Sequence, residues 1–210
     1  VAAGTVRAMA VPPVGISRCG NPEAFTGGAD EESDEALRER VLETFRRMPN
    51  GANAAFYHQG AMSFPEVAAA TVIPRPRGVG SVDVVVATAA GLPDNALLNR
   101  LTEYFQARRE IAVEVQVKVP QVKTVNVTVS VTPETGTDAA AVLAAVRAQL
   151  QNWFDGKLLG QDILRAKLGA LIYGIDGVKN YAITAPAADV AVSSRELPRL
   201  GTLKVTEGMA

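Results

Sequence analysis

Between Ile111 and Val131, valine returns at every second position. It stands at 113, 115, 117 and 119, and again at 125, 127, 129 and 131. The positions between hold Glu114, Gln116 and Lys118, then Asn126, Thr128 and Ser130. An extended chain sends alternate side chains to opposite faces, so each stretch is a half-buried strand with one oily and one wet face. β-Branched side chains suit that pleated surface. Helical patterns flank the pair at 94–108 and 138–172, and each needs a sheet face to cover. Pro120 stands between the two ribbons. Proline is tolerated at a strand end and not inside a central strand, which makes 120–121 a seam.

The remaining elements follow in order. Residues 1–28 carry weak helix signals: Val1 to Val11 has room for one strand, and Gly15 to Gly28 reads as turns. Ser33 caps a first helix whose start is crowded with acids from Asp30 to Glu35. Leu37, Val41, Phe45 and Met48 form its apolar stripe, Arg46 and Arg47 its basic end, and Pro49-Asn50-Gly51 its stop. A second helix runs from Ala52 or Asn53 to about Phe64. Strands follow at Val67–Ile73 and Ser81–Thr88, the latter apolar enough for burial on both faces. Asp94 caps a third helix with Leu97, Leu98, Leu101, Tyr104 and Phe105 inward. Beyond the seam the order is strand, a helix from Thr137 or Asp138 to Phe154, a helix from Asp162, a strand at 178–184 and a closing strand at 201–206. This order predicts an α+β fold: two small tandem α/β sandwich domains, with mostly antiparallel sheets covered by helices and an N-terminal arm. The expected bounds are 1–29 for the N-terminal segment, 30–119 for the central domain and 120–210 for the C-terminal domain, the first segment being either an arm that packs on a neighbour or the tail end of a further domain.

Composition removes several classes of function. A net charge of −1 and 5% aromatic content give no basic, ring-bearing surface for nucleic acid. The single cysteine excludes an internal disulfide framework. No apolar run is long enough to span a membrane, and the first residues lack the pattern of a signal peptide.

Each residue with chemical potential has a plainer reading. His58 is the single histidine and has no partners for a triad or a zinc site, so it reads as structural. Its neighbours Tyr57 and Gln59 suggest a helix surface. Cys19 lies in a loop beside Arg18 without a nearby base, an incidental thiol. Gly78-Val79-Gly80 precedes a strand rather than a helix, which fits a hairpin turn and not a phosphate cradle. The acids Asp30 to Glu35 lack the spacing of a calcium loop and suit a helix start, with a basic partner as the other use. Asn126-Val127-Thr128 matches a glycosylation acceptor only formally, since it sits in a strand. Arg75 and Arg77 read as exposed cations of a solvated loop. The expectation is therefore no catalytic, cofactor-binding or metal-binding residue, and no enzyme.

The string N-P-E-A-F-T-G-G-A-D-E-E-S-D-E-A-L-R-E-R-V, Asn21 to Val41, resembles the baseplate J-like family of contractile phage tails. Further likenesses follow in order: Gly51-Ala52-Asn53, the run A-T-V-I-P-R-P-R-G-V-G-S-V-D-V-V-V ending at Val86, Gly91-Leu92-Pro93, Val119-Pro120 and Thr124 to Val127. The resemblance implies a structural component of a baseplate wedge, in a virion tail or a phage-derived injection device, assembled in the host cytoplasm. It implies partners among other wedge proteins, sheath-initiating and hub-proximal proteins, and further copies of the chain. It brings no catalytic residues. Such a part needs rigid small domains with a compliant joint, and the seam near Pro120 is the expected hinge. The competing reading is a small-molecule-binding regulatory module of the ferredoxin-like sort, which would show a deep pocket with converging polar groups.

Overall fold

The computed structural model describes residues 1–11, 14–15, 18–25, 31–46 and 51–208. Asp30, Arg47, Met48, Pro49 and Asn50 lie outside them, with the expectations placed there. The chain divides into two compact units, Val1–Arg47 and Met48–Ala210.

In the first unit, the expected strand within residues 1–11 does not form. Backbone groups are satisfied instead around Asn21, which is 3% exposed. Its Oδ1 accepts from the Val6 N–H at 3.0 Å, and its Nδ2 donates to the carbonyls of Ala2 and Glu23 at 2.9 and 3.0 Å. A side chain that takes over these bonds leaves no ladder to extend. Helix α1 (Asp34–Arg46) begins at Ser33, whose Oγ accepts from the Ala36 N–H at 3.3 Å.

The second unit holds two three-stranded sheets. Helix α2 (Ala54–Met62) is capped by Asn53 and followed by β1 (Val67–Pro74) and β2 (Ser81–Thr88). Helix α3 (Asn95–Gln106), capped by Asp94, leads to β3 (Glu114–Lys118). The first sheet has the order β1-β2-β3, antiparallel then parallel. Leu97, Leu101 and Phe105 of α3 and Tyr57 and Ala61 of α2 pack on Val84, Val86 and Val115. Tyr57 is 1% exposed, so the residue beside His58 is a core anchor and not part of a helix surface.

Beyond Pro120, β4 (Gln121–Pro133) is followed by α4 (Ala139–Trp153), a 3-10 turn (Gly156–Leu158), α5 (Arg165–Tyr173), β5 (Val178–Ala185) and β6 (Glu196–Glu207). The second sheet has the order β5-β4-β6, again one antiparallel and one parallel pair. The fold is thus α+β with two small helix-covered sheets. Both sheets are mixed, where mostly antiparallel pairing was expected, because a helical crossover separates β2 from β3 and most of the lobe separates β4 from β6. Val125, Val127, Val129 and Val131 all face inward, against Val142, Val146, Leu150, Leu168 and Ile172.

Three boundaries differ from the sequence reading. β3 starts at 114 because the Arg109 guanidinium binds the carbonyls of Glu110, Ile111 and Val113, turning the chain and leaving Ile111 fully exposed. Helix α5 starts at Arg165, not Asp162. Asp162 accepts from the Val192 N–H at 2.7 Å, and Asp189 supplies the acceptor for the Arg165 N–H at 2.7 Å. β6 begins at Glu196 and includes Pro198, which an edge strand tolerates.

Candidate functional site

His58 is half-buried on α2, and Cys19 is a half-buried free thiol in the first unit. Cys19 belongs to the first unit and His58 to the second. Gly78 and Gly80 shape the β1–β2 hairpin. Gly80 has φ +81°, and a Cβ there would come within 2.8 Å of the Ala112 carbonyl. Asn126 is structural: its Oδ1 accepts from the Thr202 N–H at 2.8 Å, beside the register shift between Val125 and Val127.

Of the acidic run, Glu32 takes a two-pronged bond from Arg40 at 3.1 and 2.7 Å, and Glu35 pairs with Arg38. The bond from Arg40 holds the Glu32 carboxyl below its ordinary value. Among the described residues no group of three or more His, Cys, Asp or Glu side chains is placed to hold a metal ion.

The two loop arginines part company. Arg75 is exposed and holds a left-handed backbone, φ 57°. Arg77 is no loose cation: it binds Asp83 and reaches Glu114 at 3.4 Å. Asp83 is 4% exposed, and its second oxygen lies 3.7 Å from Arg195. Sequence reasoning missed this cluster. Its one visible signal was a single charge inside the run V-D-V-V-V.

Three concavities of the second unit are open to solvent. One of about 550 Å³ is lined by Thr132, Pro133, Glu134, Thr137 and Glu207, and others lie near Arg109 and near Arg165. These linings lack the enclosed apolar body that holds a small molecule. The conspicuous surface is a helix face. On α1, Leu37, Val41, Leu42 and Phe45 are 42%, 44%, 45% and 75% exposed, four large apolar side chains along one stripe. No described helix is long and apolar enough to cross a membrane.

Two small sheets in tandem, each covered by helices, define an α+β protein built from two small layered lobes. The particular family comes from comparison. Residues 49–119 match the model of the baseplate J-like central domain, and residues 125–206 that of the baseplate J-like protein C-terminal domain. The chain belongs to the baseplate J-like family, whose members are structural proteins of the tail baseplate. JayE of Escherichia coli strain K12 is 27% identical over 207 residues, covering 97% of this chain and 78% of that protein. The baseplate protein gp47 of Escherichia phage Mu is 24% identical over 195 residues, 87% of this chain and 53% of its own length. A chain of the anti-feeding prophage baseplate shares the fold, with a TM-score of 0.57 at 17% identity over 94% of this chain and 48% of that one. The chain therefore spans only about half the length of some proteins it matches.

Proposed function

We propose that this chain is a wedge component of a contractile tail baseplate, or of a phage-derived injection device, and works by docking rather than by catalysis. The observation that carries the reading is the α1 stripe, since apolar side chains at helical spacing left open to water are what an assembly contact covers. Its partners are other wedge proteins, the sheath-initiating and hub-proximal proteins, and further copies of the chain. Nucleic acid is not among them, in keeping with the net charge of −1. The site of action is the virion tail, after assembly in the host cytoplasm. An arm at 1–29 and domains at 30–119 and 120–210 belong to the same proposal. The end of the central-domain match at 119 supports the second boundary.

Each contact of this kind buries on the order of 800 Å² per partner. Co-expression with the neighbouring tail proteins tests the reading. Wild type is expected to co-purify with at least one of them. Leu42→Glu combined with Phe45→Glu is expected to weaken that association at least about tenfold while leaving the melting temperature unchanged. A wild-type chain that remains monomeric and binds none of them would overturn the proposal.

A further inference from the structure

Both faces of β2 are dry. Val84 and Val86 point into the core shared with α2 and α3. Val85 and Ala87 belong to the core beyond Pro120, with Val129, Leu158 and Leu159. On β1, Ala69 and Ile73 pack against that same second core. Alternation then places Thr71 on this face of β1 and Asp83 on this face of β2.

These two polar residues both meet the turn before β6. The Thr71 hydroxyl donates to the Ser194 carbonyl at 2.5 Å. Arg195 faces Asp83, whose other oxygen is taken by Arg77. A third tie runs from the Arg199 guanidinium to the Ala90 carbonyl at 2.9 Å. The turn itself is braced. Glu196 accepts from the Ser193 N–H at 2.8 Å and meets the Lys123 ammonium at 3.4 Å.

Apolar contact is non-directional and tolerates sliding. A buried carboxylate is intolerant, because a shift that removes its cations leaves an uncompensated charge. We infer that the two sheets form one rigid body, and that Asp83 is the pin that sets their relative angle. Arg77 holds the carboxylate from its own sheet, and Arg195 holds it from the other lobe. The seam at Pro120 is a covalent link across a locked joint and not a hinge. This property belongs to the isolated chain and is independent of any partner.

The test is a distance distribution measured on the full chain. Spin labels go on Ile111→Cys and Tyr173→Cys, which are 100% and 63% exposed and lie one on each lobe, in a Cys19→Ser background. Pulsed dipolar spectroscopy is expected to give one narrow peak, broadened about twofold by Asp83→Asn and by Arg195→Gln as alternative lobe angles become populated. Arg195 has a side chain 46% exposed, so Arg195→Gln leaves both cores intact and serves if Asp83→Asn does not fold. A broad or two-peaked distribution in the otherwise unmodified labelled protein overturns the rigid body. So does proteolytic cleavage between 119 and 124 ahead of global unfolding. A peak that stays narrow in Arg195→Gln overturns the pin.

Discussion

Gly156 opens the 3-10 turn directly over the end of β2, where a Cβ would run into the Thr88 carbonyl. The obstacle is backbone, so the neighbour cannot rotate away. Gly156→Ala is expected to cost about 1–3 kcal/mol, read as a lower urea midpoint at unchanged slope. Glu196 sets a second expectation. The Ser193 N–H bond, with Lys123 adding to it, holds its carboxyl below the ordinary value of 4.5. The unfolded chain therefore binds that proton more readily, and the bond stabilises the fold above the ordinary value. The gain disappears as pH falls through the lowered folded value. Glu196→Gln should flatten the acid limb of melting temperature against pH, below about pH 4.5. Neither residue was legible in the sequence, because each matters through a contact with a distant segment or a turn that only the fold creates. Asp83 was half legible: a lone charge in an apolar strand announces a partner without naming it.

Elements were read far better than single residues. Strict valine alternation and good N-caps are local signals, and Asp94 and Asp138 each accept a backbone N–H where expected, while Asn53, read as a first helical residue, proves to be the cap of α2. The errors fall where a side chain from elsewhere ends or begins an element. Arg109 shortens β3, and Asp189 supplies the acceptor at the start of α5. Periodicity also overstated the first ribbon: Val115 is 3% exposed, but Val119, past the end of β3, is 43% exposed. The same distinction separates two apolar residues that look equivalent in the sequence. Leu150→Ala, at a fully buried site on α4, is expected to cost about 2–5 kcal/mol, while Ile111→Ser at a fully exposed site changes stability by less than about 0.5 kcal/mol. Chemical denaturation of the two variants measures both.

For the molecule as a whole, sequence order revealed two sheets in tandem but not that they share a buried face. Val85 and Ala87 look like any inner strand residues; only tertiary packing shows that they seal the other lobe. The strand directions were hidden for a similar reason, since β4 pairs with β6 across most of the C-terminal lobe. Dissection measures how far the halves depend on each other. Residues 51–119 and 120–208 produced separately are expected to precipitate or bind a hydrophobic dye, and the two produced together are expected to recover solubility.

The two-sided burial of β2 also bears on synthesis. A ribosome releases residues 1–119 before the segment that covers Val85 and Ala87 has been made, so each nascent chain passes through a stage with an oily sheet laid bare. Chaperone demand and inclusion-body formation should therefore track the delay before the second half emerges, and slowing translation just past codon 120 should lower the soluble yield.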